Sequence, residues 1–346
     1  MEKILTVSVA AYNVEGYIRQ TLSSLMDESV IDQLDILVND DGGQDGTLAI
    51  AREFEEKYPR SVRIVHKENG GYGSVINTNL PLARGKYFKL LDGDDAFETA
   101  ELPAFLRLLE SIDADCVLTR TKVFREDLGT TRIADRYPET TEGLHRFDET
   151  VFNSCLTMHS VTLRTGAIQD KQIAVSEHCF YTDVEFVNNA LLYLETFYVY
   201  PHALYVYRKG VEGQSVSWTG RKKHYKEHET VFWKTVRFYE QIGEPNKKRL
   251  VANRVKNSIR AHLGYFFRFP VSRSNYREYR RFAADVHRRV PELEKSVADQ
   301  SLFWKLVMAG GYRLYLLPRI AARAKDSGVL SRVRGGRGKG EQQFSD

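Results

Sequence analysis

Short apolar runs alternate with segments of helical spacing along the first third of the chain, and this alternation constrains the fold more than any other feature. Strands that alternate with helices predict a mostly parallel sheet that is covered by helices on both faces. In such sheets, ligands bind beyond the carboxyl ends of the strands. The predicted strands cover residues 4–10, 34–38, 62–65, 87–91 and 116–119, and helices are predicted over 15–25 and 47–58.

The alternation loosens after about residue 121, and the chain becomes helical and basic from residue 224 onward. A helix over 182–194 and a tyrosine-rich strand over 197–207 are predicted between these points. Residues 331–346 are rich in glycine and arginine and have too little apolar surface to fold. We therefore expect an α/β domain (1–220, with halves 1–120 and 121–220), a helical C-terminal region (221–330) and a basic tail (331–346).

Composition excludes several classes of protein. With 42% hydrophobic and 28% charged residues, the chain is neither a disordered protein nor a bundle of membrane spans. Lys305, Arg313 and Arg319 interrupt the most apolar C-terminal stretch, so no spanning helix is expected. The three cysteines are widely spaced, which favours a reducing compartment. Because the first residues lack the pattern of a signal peptide, we expect a cytoplasmic protein.

The strongest chemical signal is the turn at residues 92–95, which directly follows an apolar strand. It places Asp92, Asp94 and Asp95 within four positions, where their charges repel one another. A divalent cation between such carboxylates relieves the repulsion, and Mg²⁺ and Mn²⁺ prefer oxygen ligands that are shared with phosphates. Gly93 allows the backbone to approach a ligand closely. The alternative is a solvated turn whose aspartates cap a helix.

Two further polar turns follow predicted strands. At residues 40–47, Asp40 has a carboxylate that can accept the imide proton of uracil, although Asp45 or Thr47 could simply cap the next helix. At residues 10–15, Tyr12 offers a ring on which a base could stack. All three turns follow strands of one inferred parallel sheet. We therefore expect them to meet at one edge, within reach of a single nucleotide diphosphate.

These turns, in this order, resemble those of the family 2 glycosyltransferases. The resemblance covers about residues 4–217 and is specific over the first hundred. It implies the GT-A nucleotide-sugar fold and inverting transfer from a nucleotide-sugar, most often a UDP-sugar, with Mn²⁺ or Mg²⁺. It places Asp92 and Asp94 on the metal, with Asp94 as the more direct ligand. The donor-binding residues that it implies are Ala11, Tyr12, Asn13, Glu15, Asp40, Asp41, Gly71, Tyr72, Asp92 and Gly93.

The sequence departs from the family pattern in two places. Gly43 stands where the family has serine, and residues 75–79 replace an Ala-Arg-Asn segment. The second departure concerns donor-side contacts, so the roles implied for residues 69–79 carry less weight. Gly71 and Tyr72 still lie in a glycine-rich loop of the kind that passes close to a ligand.

Inverting transfer requires a general base, because the acceptor hydroxyl loses its proton as the new bond forms. In the family the base is the aspartate of a Glu-Asp pair that opens a helix. The matching residue here is Asp183, and Thr182 replaces the glutamate. Thr182 and Glu185 also have the spacing of a capping box, which would make Asp183 an ordinary first-turn carboxylate. The two interpretations are compatible.

A glycine-containing segment at 207–217 joins a predicted strand to a basic stretch. In the family this segment folds over the donor diphosphate, so the resemblance implies that Arg208, Gln214 and Ser215 neutralise the leaving group. A flexible surface loop is the alternative.

Apolar and aromatic residues alternate with cations over 301–325. This pattern suits a helix that lies in an anionic membrane surface, and it would place the protein at the inner face of the membrane. The acceptor would then be a glycan or a lipid-linked saccharide. Packing on the rest of the protein, or on a second subunit in a homo-oligomer, is the alternative.

Two other functions compete with sugar transfer. A nucleotidyltransferase that makes nucleotide-sugars would also bind a nucleotide and a metal, but residues 10–15 lack its basic glycine-rich loop. A nucleic-acid-binding protein could use the basic residues at 332–339. The formal net charge of only +4 and the carboxylate-rich turns oppose this function, and no nucleic-acid partner is expected.

Overall fold

The structure is a computed structural model and describes residues 2–137, 140–171, 173–210, 214 and 217–309. Within these residues, ten strands form one sheet that follows the order β3-β2-β1-β4-β9-β6-β10-β5, with β7 on β6 and β8 on β10. The strands are β1 (Leu5–Ala11), β2 (Leu34–Asp40), β3 (Val62–His66), β4 (Tyr87–Asp92), β5 (Ala96–Phe97), β6 (Cys116–Arg125), β7 (Thr130–Ala134), β8 (Gly143–Arg146), β9 (Val161–Arg164) and β10 (Thr196–Lys209).

The first four long strands, β1 to β4, are parallel to one another, and β1 and β2 are buried over almost their whole length. Burial on both faces explains why these strands are continuous apolar runs rather than alternating patterns. The helices of this half are α1 (Glu15–Ser23), α2 (Thr47–Lys57), α3 (Tyr72–Leu82) and α4 (Leu102–Ser111).

Beyond β4 the sheet becomes mixed. β9 runs antiparallel to both β4 and β6, and β10 runs parallel to β6. The expectation of a mixed, mostly parallel sheet with helices is therefore confirmed. The short helix α5 (Thr165–Ile168) and the longer α6 (Thr182–Leu191) belong to this half.

The C-terminal part of the described chain is helical. Buried aromatic side chains join these helices, and the ring centroids of Phe232 and Phe282 lie 5.1 Å apart. One continuous hydrophobic cluster extends from the sheet into the helices. No described helix is both long and apolar enough to cross a membrane. The helices are α7 (Trp218–Lys223), α8 (Tyr225–Gln241), α9 (Pro245–Arg268), α10 (Arg273–Arg289), α11 (Pro291–Asp299) and α12 (Leu302–Ala309).

Several predicted elements differ in length from the observed ones. The strand predicted over 116–119 continues to Arg125, because its second half pairs with β7 and alternates between buried and exposed side chains. The helix predicted over 182–194 ends at Leu191. The basic tail and most of the apolar and cationic segment at 301–325 lie outside the described residues.

Candidate active site

Strand register places the three polar turns at one edge of the sheet. Ala10 of β1 is the partner of Asp92 in β4, and Ala11 is the partner of Asp40 in β2. Asp40 in turn pairs with His66 at the end of β3. The carboxyl ends of four parallel strands therefore form one row, from which the turns at 11–15, 40–47 and 92–95 all leave.

The turn at 92–95 contains three carboxylates that differ in burial and in hydrogen-bond partners. Asp95 is buried, and it accepts hydrogen bonds from the Tyr205 hydroxyl (2.6 Å) and from the Arg208 backbone N–H (2.7 Å). Asp94 Oδ2 accepts a hydrogen bond from Gln214 Nε2 at 3.0 Å. Asp92 Oδ1 is buried and has no hydrogen-bond partner among the described residues. Burial, together with the charges of Asp94 and Asp183, raises the pKa of Asp92 to about 7.

Two residues that sequence reasoning left out support this turn. His159 lies beside it, with its ring stacked on that of Tyr207 at a centroid distance of 4.2 Å. Lys89 is fully buried in β4 and donates to the carbonyl oxygens of His159 (3.1 Å) and Val161 (3.0 Å). Burial lowers the pKa of Lys89 to about 7. A lone lysine within an apolar strand was the only sequence signal for this support.

The side chains of Asp92, Asp95 and His159 form a group that fits a divalent cation. One potential ligand atom from each lies within 4.8 Å of the others. Asp92 Oδ1 is a hydrogen-bond acceptor without a donor among the described residues, and a bound cation would compensate for the missing hydrogen bond. Oxygen and imidazole ligands are compatible with Mn²⁺. The sequence predicted Asp92 and Asp94, whereas the cluster found here combines Asp92 with Asp95 and His159.

The turn that follows β2 differs, because its carboxylates have protein partners. Asp41 is buried, accepts hydrogen bonds from the backbone N–H groups of Gly70 (2.9 Å) and Gly71 (2.8 Å), and forms an ion pair with Lys67. Asp40 contacts His66 Nδ1 at 2.7 Å through one oxygen and accepts the Gly43 N–H through the other. Asp41 therefore fixes the 70–73 loop in place.

The first turn presents one exposed ring and two polar side chains with structural partners. Tyr12 is 51% exposed at the edge of the sheet. Asn13 has a positive φ of 52°, and its Oδ1 accepts the Gln44 N–H at 2.8 Å. Glu15 accepts the Gly46 N–H at 2.7 Å. Asn13 and Glu15 thus hold the first two turns together, and Tyr12 is available for stacking.

Asn77, within the segment that departs from the family pattern, has a structural role. It forms two 3.0 Å hydrogen bonds with the backbone of Val175, one in each direction. A Cβ on Gly73 would lie 1.9 Å from the carbonyl oxygen of Ser176, so only glycine fits there. The segment before α6 is therefore held by hydrogen bonds and close packing against α3, the helix that begins at Tyr72.

Asp183 lies in the first turn of α6. Its negative charge is one of the causes that raise the pKa values of Asp92 and Tyr72. Burial raises the pKa of Asp183 itself. The predicted capping box is wrong, because Glu185 accepts instead from Ser176 Oγ (3.0 Å), and Thr182 Oγ1 has no partner within the described chain.

Arg208 is buried beneath the acidic turn. Its Nε donates to the Asp94 carbonyl oxygen at 2.9 Å and its Nη1 to Glu126 at 2.7 Å. Gln214 Nε2 also donates to the Arg208 carbonyl oxygen at 2.9 Å. The structure therefore places Arg208 and Gln214 against Asp94. Ser215 lies outside the described residues.

Comparison with solved structures defines the class of fold. The chain matches TarS residues 1–349 from S. aureus in complex with UDP-GlcNAc, with a TM-score of 0.68 and 19% identity over 93% of this chain and 92% of that one. A second match is the mannosyltransferase PcManGT from Pyrobaculum calidifontis, in complex with GDP-Man and Mn²⁺. Its TM-score is 0.53, at 16% identity over 94% of this chain and 88% of that one. The chain has a GT-A-like fold followed by a helical C-terminal region.

Sequence comparison defines the family. Residues 6–169 match the family model of the family 2 glycosyltransferases ("Glycosyl transferase family 2"), so this part of the chain has the sequence pattern of that family. It is 29% identical over 221 residues to the uncharacterized glycosyltransferase EpsJ of Bacillus subtilis, across 60% of this chain and 62% of that protein. It is 24% identical over 238 residues to the minor teichoic acid biosynthesis protein GgaA of the same organism, across 64% of this chain and 51% of that protein. The chain thus spans about half to three fifths of these relatives.

Proposed function

We propose that this chain is an inverting glycosyltransferase that moves a sugar from a UDP-sugar to a hydroxyl of a glycan or lipid-linked acceptor, with help from Mn²⁺ or Mg²⁺. In this proposal residues 1–220 form the catalytic domain, with donor binding in 1–120 and the acceptor side in 121–220. Residues 221–330 form the helical region and 331–346 the tail.

The observation that carries the proposal is the unpartnered Asp92 oxygen within the Asp92, Asp95 and His159 cluster, beside Asp183. A buried carboxylate oxygen without a donor is costly, and a bound cation would remove that cost. Asp94, the metal ligand expected from the sequence, lies one position from Asp95 and would reach the same cation from its exposed side. A metal at this place would stabilise the charge that develops on the leaving diphosphate.

The residues of this chain would bind and orient the reactants around that cation. Tyr12 would stack on the base, and Asp40 would accept the imide N–H of uracil on exchanging its Gly43 contact. Asp183 would take the proton of the acceptor hydroxyl, and burial, which raises the pKa of its carboxyl, makes this carboxylate a stronger base. Arg208 and Gln214, which both contact Asp94, would lie near the leaving diphosphate, and Ser215 would join them. The backbone atoms of Ala11, Gly71 and Gly93 would contact the donor.

Both the donor class and the acceptor class draw support from relatives. TarS was solved with UDP-GlcNAc, and PcManGT with GDP-Man and Mn²⁺, so nucleotide-sugar binding occurs on this fold. GgaA is named for teichoic acid biosynthesis, which favours an envelope polymer as acceptor. Hexosyl and N-acetylhexosaminyl transfer both fit these donors. Peripheral membrane contact through 301–325 and homo-oligomerisation remain part of the proposal.

A thermal-shift screen of UDP-, GDP- and CDP-sugars, with and without Mn²⁺, tests the proposal directly. A ligand at a hundred times its dissociation constant stabilises the folded state by about 2.7 kcal/mol. We expect a selective response to UDP-sugars that requires the metal. The absence of any Mn²⁺-dependent response to all three donor classes would contradict the proposal.

A further inference from the structure

Helix α10 carries a row of cations on the side that faces away from the protein core. Residues 273, 277, 280, 281, 287 and 288 recur at helical spacing, so they share one face, and Ala284 lies between them. The opposite face is buried against α8 and α9, with Tyr279 at 5.9 Å from Phe266. We call the outward cations the basic face: Arg273, Arg277, Arg280, Arg281, His287 and Arg288.

Three of these arginines have no carboxylate partner among the described residues. Arg281 pairs with Glu229 at 2.8 Å, and Arg288 pairs with Asp285 at 2.7 Å. Arg273, Arg277 and Arg280 pair with no carboxylate in the part of the chain that the structure describes. An exposed row of uncompensated guanidinium groups attracts an anionic partner.

Lysines at the end of α7 and the start of α8 add positive charge near the basic face. Lys222 and Lys223 end α7 and are exposed, and Lys226 opens the next helix. Lys226 and Arg281 line one shallow depression on the surface together with Glu229 and Glu278, so the lysines adjoin the basic face across a depression whose own charges balance. The Tyr225 hydroxyl donates to Glu278 at 2.9 Å and fixes the two helices against each other.

Exposed apolar side chains lie at the Arg273 end of this face. Val271 immediately precedes α10 and is 62% exposed, and Leu302 of α12 is 71% exposed. Phe303, next to Leu302, packs its ring at 6.0 Å from Phe267, which lies four residues before Val271. Cations beside exposed aliphatic and aromatic side chains are typical of surfaces that rest on an anionic bilayer.

We propose that the basic face of α10, together with Val271, Leu302 and Phe303, docks the protein on an anionic membrane surface. A soluble polyanion would be attracted by the arginines, but it would leave the apolar group exposed to water. A bilayer satisfies both, because its headgroups carry the charge and its acyl boundary accepts the apolar side chains. The surface lies outside the proposed donor site, so it is independent of the donor and the metal.

Co-sedimentation of the full-length chain with vesicles tests this surface. One set of vesicles is pure phosphatidylcholine, and the other contains about a third phosphatidylglycerol, which supplies the anionic charge. We expect salt-sensitive binding to the second set only. Substituting Arg273→Gln, Arg277→Gln and Arg280→Gln together should weaken binding by roughly a hundredfold, since each cation near the surface contributes about fivefold.

A matched triple variant and an apolar variant complete the test. Arg52→Gln, Lys57→Gln and Arg107→Gln remove the same charge from exposed positions on α2 and α4 and should leave binding within about threefold. The Val271→Ser, Leu302→Ser pair should weaken vesicle binding and leave binding to soluble polyphosphate unchanged. Unaltered vesicle binding by the arginine triple variant would overturn the proposal. So would binding of the Val271→Ser, Leu302→Ser variant to anionic vesicles as tightly as the wild type, because the apolar side chains would then contribute nothing. Circular dichroism melts of each variant separate loss of binding from loss of folding.

Discussion

The acidic turns that follow β2 and β4 have similar composition and opposite surroundings. After β2, Asp41 receives hydrogen bonds from two backbone N–H groups and an ion pair from Lys67. After β4, Asp92 has a buried oxygen without a hydrogen-bond partner among the described residues, and its pKa is raised to about 7. A carboxylate that the protein satisfies holds a loop in place, whereas one left unsatisfied is ready to bind a cation.

Asp183 should belong with Asp92 in this comparison, because burial raises its pKa and its charge contributes to the raised pKa of Asp92. Asp183→Asn keeps the shape of the side chain and removes the base. We expect sugar transfer to fall by about 10²- to 10⁴-fold, with the donor-induced thermal shift unchanged. Steady-state transfer rates and thermal shifts measure the two effects.

Glu177→Gln is the matched control for Asp183, since it neutralises an exposed carboxylate just before the same helix. Its transfer rate should stay within about threefold of the wild type. Equal losses in the two variants would remove Asp183 from the role of base.

Asp41 represents the carboxylate whose partners are supplied by the protein, and its substitution tests whether those partners stabilise the fold. Asp41→Asn removes the charge that pairs with Lys67 and leaves that partly buried ammonium group without its counter-charge. We expect unfolding in urea to show a loss of about 3 kcal/mol, the usual cost of breaking a buried ion pair from one side. Glu68→Gln, an exposed neighbour, should change the free energy of unfolding by less than about 0.5 kcal/mol.

The double variant Asp41→Asn, Lys67→Gln separates the ion pair from the loop. If the loss comes mainly from an unpaired lysine, the double variant should recover part of the stability. If it is as unstable as Asp41→Asn alone, the hydrogen bonds to Gly70 and Gly71 dominate. If Asp41→Asn alone is as stable as the wild type, Asp41 does not hold the 70–73 loop in place.

Local patterns in the sequence were sufficient for the parallel strands β1 to β4 and for the polar turns that follow β1, β2 and β4. Strands β5, β7, β8 and β9 were not predicted. A run such as residues 34–38 predicts a buried strand by itself, and the polar residues that follow mark the end of that strand. Parallel register then brings the ends together, and this follows from the fold class alone. The roles assigned to Tyr12, Asp40, Asp94, Arg208 and Asp183 remain predictions.

The rest depended on long-range contacts that no local pattern contains. His159 and Lys89 are 70 residues apart, yet the Lys89 ammonium group fixes the backbone beside the acidic turn. The capping box failed because Glu185 is held by Ser176 and by Lys234 of α8. Tertiary partners thus override a local capping preference when they offer a charged group.

Asp94 provides a test of metal binding that is separate from stability. Asp94→Ala should abolish the Mn²⁺-dependent part of the donor-induced stabilisation, about 2.7 kcal/mol at a hundredfold excess over the dissociation constant. Glu110→Ala removes an exposed carboxylate on α4 and serves as the control. Donor affinity equal to that of the wild type would leave the metal to Asp92, Asp95 and His159 alone.

The smallest expected effect is a dependence of metal-free stability on pH. Because the pKa of Asp92 is raised to about 7 in the folded protein, that state binds a proton more tightly than the unfolded chain does. The stabilisation from this proton is complete below pH 4 and is lost as the pH rises through 7. Between pH 5 and pH 7 the metal-free wild type should lose roughly 2 kcal/mol from this group.

Asp92→Asn should flatten this part of the profile, because the amide does not titrate. Mn²⁺ should restore stability to the wild type at pH 7 and leave the variant unchanged, since a cation replaces the proton on the same oxygen. Urea unfolding of the wild type and of Asp92→Asn at pH 5, 6 and 7, each with and without Mn²⁺, gives four profiles of stability against pH. If the metal-free wild type and Asp92→Asn have the same slope, Asp92 is not the unsatisfied carboxylate, and the contrast between the two acidic turns fails.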